Sequence, residues 1–167
     1  ACALTTRPHE VGVAGLATAL RGIGRLAAHV NAGEAEAAID FLRSRADPAL
    51  EWIEDAHPIP QAASLQRIID GSKTYVDAAR ADLGNKATLF AALERFRVLC
   101  AEREGQRGAV AINQFVGQHF RKALDHPLDP GGRSEWYPGR PVMVLANDYL
   151  LKLFNGDIGI VLPDGSE

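Results

Sequence analysis

Cysteine is nearly absent: the 167 residues hold two, Cys2 and Cys100, far apart and in no CxxC spacing. With no charged-then-apolar, signal-like start, that scarcity points to a reducing, cytoplasmic setting. Long hydrophobic runs are also missing. No apolar stretch approaches the roughly 20 residues that span a bilayer, which excludes a membrane-crossing helix. Basic charge is not in excess either, with 18 Lys and Arg against 21 Asp and Glu, a net charge of −3 and a pI near 6.0. That balance argues against wholesale electrostatic capture of nucleic acid and leaves a local basic groove open. There is no internal repeat and no low-complexity tract.

The common catalytic signatures are missing as well. "GSKT" at Gly71 to Thr74 ends like a phosphate-binding loop, but the chain has no GxxxxGK[ST], no strand precedes the segment, and it lies inside a helical pattern. An exposed helix face is the expectation. The five histidines, His9, His29, His57, His119 and His126, form no HxxxH or HExxH pair, so a small metal-dependent hydrolase has almost no support. No Gly-x-Ser-x-Gly elbow or Cys-His pairing points to a catalytic nucleophile.

What is present is the composition of a folded chain, 47% hydrophobic and 23% charged, of a length that suits one domain or pieces of two. Apolar residues at helical spacing predict two short helices over 11–20 and 23–32, with Gly33 as a stop. A third helix is predicted over 34–45, ending before Asp47-Pro48, and "HPIP" at 57–60 breaks the chain. A longer amphipathic helix is predicted over 61–83 with Gly84-Asn85 as its cap, and another over 86–95.

That last helix runs into "FRVLCA" (96–101), a short apolar run of the kind that forms a buried strand. The glycine-bearing loop "EREGQRG" follows, and helical periodicity resumes over 109–123. Helix, buried strand, polar loop and helix in that order make one unit of a parallel α/β sheet, and ligands bind in the loop after such a strand. Arg103, Arg107 and Asn113 lie there, where free backbone amides and arginine side chains can both meet phosphate oxygens. A solvated loop with a helix cap is the plainer alternative.

Residues 125–141 ("DHPLDPGGRSEWYPGRP") have the Pro and Gly density of a connection between units, which sets the expected boundary near 130. Beyond it, strands are predicted over 142–145 and 157–162, with Asn147-Asp148 and Asn155-Gly156 as turn residues.

The segments 96–113 and 136–165 together closely resemble the RecD family, the α subunit of exodeoxyribonuclease V and a superfamily 1 DNA helicase. "GIGRLAAHVNAGEA" (22–35) resembles the family's segment after its fourth helicase motif, and "ACAL" (1–4) the helix end after its third. The resemblance is weakest over 48–92. The aromatic-arginine motif that the family carries shortly before "GIGRLA" is missing, since Leu20-Arg21 runs straight into Gly22.

The resemblance implies a motor with two RecA-like domains that hydrolyses ATP with Mg2+ and moves along single-stranded DNA from 5′ to 3′. Residues 1–130 would then be part of the second, P-loop-NTPase-type domain, mostly helical in its first part. Residues 131–167 would begin an inserted small Src-homology-type β-barrel. Implied partners are DNA ends and RecB-like and RecC-like subunits, in recombinational repair. The family's phosphate loop and its magnesium-binding acidic motif are not in this chain, so the fragment alone is expected neither to bind ATP nor to act as an enzyme. Arg103, Arg107 and Asn113 become expected DNA contacts. From the residues alone, a non-catalytic protein-interaction module stands nearly level with the motor.

Overall fold

The computed structural model describes residues 13–47, 50–126 and 136–163, with side chains from Gly22 onward. Five helices and one small sheet are found among them: α1 (Val13–Asn31), α2 (Ala35–Arg43), α3 (Ala62–Ala81), α4 (Lys86–Leu93), α5 (Ala109–Ala123), β1 (Pro141–Met143) and β2 (Ile158–Ile160). The described residues are mostly helical. They fall into two compact units, one drawn from Ala1–Arg67 and Arg95–Ala111, the other from Ile68–Glu94 and Ile112–Glu167. No described helix is long and apolar enough to cross a membrane.

In the first unit, the two short helices expected over 11–32 are one continuous helix, α1. Gly22 and Gly24 do not break it, because a glycine inside a helix costs only about 1 kcal/mol and the apolar stripe carries on past both. Gly22 instead makes room: a Cβ there would collide with the buried carboxylate of Asp47. Gly33 does stop the helix, at a φ of +74°. Its amide donates to the Val30 carbonyl (3.1 Å) and the Glu34 amide to that of His29 (2.9 Å), the paired bonds that close a helix C-terminus through a left-handed residue. Leu26, Ala38 and Leu50 form the small core between α1, α2 and the chain beyond, with Ile23, Phe41 and Leu42 against it.

The second unit is built around a larger core of Tyr75, Val76 and Ala79 from α3, Leu89 and Ala92 from α4, Phe120 and Leu124 from α5 and its end, and Tyr137. Leu89 is fully buried. Asn85 belongs to α4 rather than to the end of α3: its side chain accepts from the Thr88 amide (3.1 Å), which satisfies one of the orphan donors of that helix start. α5 occupies the residues its periodicity predicts and ends on Asp125 at φ 56°, where the His126 amide donates to the Arg121 carbonyl (2.9 Å).

The segment over 96–101 corrects the sequence expectation. It pairs with no other strand among the described residues, and Leu99 is 76% exposed. The helix, loop and helix of the predicted parallel α/β unit are present without their strand. A strand is a shared structure, and no described backbone edge runs beside this one to complete its hydrogen bonds.

The expected late strands are present and shorter. β1 and β2 pair antiparallel, with Pro141 opposite Ile160, Val142 opposite Gly159 and Met143 opposite Ile158. Asn155-Gly156 makes a turn, with the Asp157 amide donating to the Phe154 carbonyl (2.9 Å) and Gly156 at φ +96°, but it does not join the strands by itself. A second narrow hairpin, bridged between Asp148 and Leu153, is interposed. Asp148 accepts from the amides of Leu150 and Leu151, Asn147 from that of Asn155, and Asp157 from that of Phe154, so these polar residues fold turns.

The base of this ribbon is fixed to the helices at "YPGR". Tyr75 donates from its buried hydroxyl to the Gly139 carbonyl (2.8 Å) and stacks on Phe120 with ring centroids 5.5 Å apart. Burial pushes the Tyr75 and Tyr137 hydroxyls above the ordinary phenol range, so both donate rather than ionise. Gly139 sits at φ +84°, and a Cβ there would lie 2.8 Å from the Leu124 Cδ1. Only glycine fits.

Candidate functional site

The loop over 102–108 lies in the first unit and is closed at both ends by backbone bonds. The Ala109 amide donates to the Glu102 carbonyl (2.9 Å), the Val110 amide to the Arg103 carbonyl (3.1 Å) and the Gly108 amide to the Gly105 carbonyl (3.1 Å). Two amides that the start of α5 was expected to hold free for phosphate are thus occupied by the loop that precedes it. Gly105 turns the loop at φ +89°. At Gly108 a Cβ would meet the carbonyl oxygens of Arg103 (2.6 Å) and Glu104, so the tight return also demands glycine.

The two arginines of the loop have opposite environments. Arg103 is 84% exposed, and its carboxylate neighbour is the adjacent Glu104 at 3.7 Å. Arg107 is 17% exposed and faces inward. Its Nε donates to the His57 carbonyl (2.7 Å), and one terminal nitrogen reaches the Ile59 carbonyl (3.4 Å) and the Asp55 carboxylate (2.7 Å). Asn113 is exposed on α5, in the second unit.

Asp55 is the residue that reading the sequence missed. Its side chain is 6% exposed, and besides Arg107 it accepts from the His57 amide (3.1 Å), the Gln61 amide (3.3 Å) and the Gln61 side chain (3.3 Å). Burial opposes its ionisation, but the hydrogen bonds from Arg107 and the two amides, with the Arg107 charge, outweigh it and hold the carboxyl at about 2. The only signal in "DAHPIPQ" was an acid two residues ahead of a proline turn, which by itself predicts an Asx-type turn.

Two further carboxylates of the irregular segment meet arginines, in more exposed pairs. Glu51 pairs with Arg67 (2.6 Å), and Glu54 pairs with Arg43, which holds the Glu54 carboxyl below its usual range by hydrogen bond and charge. Three carboxylates along 51–55 therefore each meet an arginine from elsewhere in the first unit.

Gly71 to Thr74 lie within α3, whose backbone amides are engaged in the helix, and Lys73 pairs with Asp77 one turn on (2.5 Å). No phosphate cradle forms there.

No protein-family model matches the chain, and no solved structure matches it. Curated relatives do. The chain is 36% identical over 159 residues to the RecBCD enzyme subunit RecD of Mycolicibacterium smegmatis, an alignment that covers 92% of this chain and 27% of that protein. It is 34% identical over 140 residues to the protein of the same name from Mycobacterium tuberculosis, covering 84% of this chain and 23% of the relative. With the one from Haemophilus influenzae it shares 33% over 69 residues, 41% of this chain. The chain spans about a quarter of the length of the two mycobacterial relatives. With that degree of identity over most of its residues, the chain belongs to the RecD family and corresponds to a part of a larger protein.

Proposed function

We propose that this chain is part of the second RecA-like motor domain of an ATP-dependent DNA helicase subunit of the RecBCD type. The motor works from 5′ to 3′ at DNA ends in recombinational repair, in the cytoplasm, with RecB-like and RecC-like subunits as partners. ATP and Mg2+ are bound by other parts of the complete protein, a reading supported by the lack of a GxxxxGK[ST] pattern in these 167 residues. Residues 131–167 open a small inserted Src-homology-type barrel, in keeping with an antiparallel ribbon whose far end leaves Tyr149, Leu150 and Leu151 exposed. The loop bearing Arg103 and Arg107, and Asn113 beyond it, lies on or near the DNA track.

One observation carries this reading: 36% identity over 92% of the chain to a RecBCD subunit. That the relatives are named as subunits of an enzyme favours the motor over a non-catalytic interaction module. A track of this kind needs backbone contacts without base readout, which exposed arginine on a rigid loop supplies.

The test is made in the full-length protein with its partner subunits, on duplexes carrying a 5′ or a 3′ single-stranded overhang. ATP-dependent unwinding from the 5′ overhang is expected. With Arg103 and Arg107 both replaced by alanine, single-strand binding should weaken and its salt dependence should flatten by about 0.7 in log–log slope for each phosphate left without its arginine. Unwinding that needs no 5′ strand, or a salt slope untouched by the double replacement, would remove the motor reading or the loop from it, respectively.

A further inference from the structure

Arg103 and Arg107 sit four residues apart on one loop, and charge counting treats them alike. Their surroundings do not. Arg107 bonds two main-chain carbonyls and a carboxylate, all on the 55–61 turn, and Asp55 is saturated by four donors from Arg107, His57 and Gln61. A phosphate that recruited Arg107 would have to displace Asp55 and leave its carboxylate nearly buried without a cation, an arrangement that is strongly unfavourable. Arg103 meets no such obstacle. Its carbonyl is fixed by the Val110 amide while its guanidinium stands out in solvent, so the backbone is set in advance and the charge is available.

We propose that Arg107 and Asp55 are positioning residues, whose clasp seats the 102–108 loop on the 55–61 turn so that Arg103, rather than Arg107, meets the phosphates of single-stranded DNA. The inference rests on the nucleic-acid reading above and divides its roles. It also reverses a simple expectation. Removing a carboxylate near a DNA-binding arginine should tighten binding by relieving repulsion, whereas removing Asp55 here releases the loop and weakens it.

The experiment is a titration of fluorescent oligothymidylate with the full-length protein across a salt series, for R103A, R107A, R107K, D55A and the doubles R103A/R107A and R103A/D55A. R103A should flatten the log–log salt slope by about 0.7. R107A and D55A should each weaken binding about fivefold, and neither should weaken it further once Arg103 is gone, because both act through that residue. R107K, which keeps the charge but loses the planar fork, should behave like R107A. Amide-exchange protection at His57 and Gln61 should fall in R107A, R107K and D55A and be kept in R103A. The inference is overturned if R107A adds its full effect to that of R103A, if R107K binds like the wild type, or if D55A binds more tightly. If R103A leaves affinity and slope unchanged, the nucleic-acid reading of the loop falls and takes this inference with it; additive effects of R103A and R107A leave that reading standing and sink only the division of roles.

Discussion

The two units are held by different forces. In the second, Leu89, Tyr75 and Phe120 and their neighbours make one apolar cluster in which three helices and the base of a ribbon meet, and none of its core residues is a carboxylate. In the first, the apolar core is small, and the chain over 51–61 has no regular secondary structure; Glu51, Glu54 and Asp55 are held instead by Arg67, Arg43 and Arg107. Burial organises the second unit, whereas in the first a small apolar core is joined by one largely buried ion pair, Arg107–Asp55, and two exposed ones. The lesson concerns function as much as stability: a segment fixed by a few directional pairs can place a loop without being a core, and a single substitution can release it.

That contrast is most sharply tested at Leu89. Truncation to alanine removes a fully buried side chain from the centre of the second unit and should cost about 2–5 kcal/mol, read as a lowered denaturant midpoint. Amide protection along 51–61 should be unchanged, and its loss would mean that the pairs do not hold the first unit by themselves. A smaller effect, about 1–3 kcal/mol, is expected for Gly139→Ala, which places a Cβ in a left-handed conformation against Leu124. A Gly139→Ala protein as stable as the wild type would show that the ribbon's anchorage to the Tyr75 cluster is not as tight as described.

The mildest perturbation is acid. The Asp55 carboxyl is held at about 2 in the folded chain, below its ordinary 3.8, so the clasp contributes stability that is present above the ordinary value and is lost as pH falls through the folded one. Protection factors at His57 and Gln61 should therefore hold at pH 4 and decline towards pH 2. The core amides of α4 should show no step tied to this titration. A decline already about half complete near pH 4 would place the carboxyl in its ordinary range and refute the clasp's strength.

Much of the helical pattern was legible from spacing. α5 is where Val110, Ile112, Phe115, Val116 and Phe120 place it, and Gly33 stops α1 because a residue with φ > 0 was needed there. The turn chemistry of Asn147, Asp148 and Asn155-Gly156 was legible too, since those side chains bond their own neighbourhood. The merger of two expected helices into α1 was not, because the two apolar patterns are separated at residues 21–22, and only the fold shows Asp47 lying against Gly22. The strand expected over 96–101 failed for another reason: its pattern states that it can pair, and pairing depends on a neighbour that the pattern does not name.

Local order is what the sequence determined by itself: helix periods, stops, turn residues and the likeness to RecD, each carried by residues close together along the chain. The roles of the two loop arginines were decided only in three dimensions. Arg103 and Arg107 are the same side chain four positions apart, and they differ because Asp55 and the carbonyls of His57 and Ile59, about fifty residues earlier, meet one of them and leave the other in solvent. An ion pair between distant segments has no period and no spacing, so it becomes visible only when the fold brings its partners together.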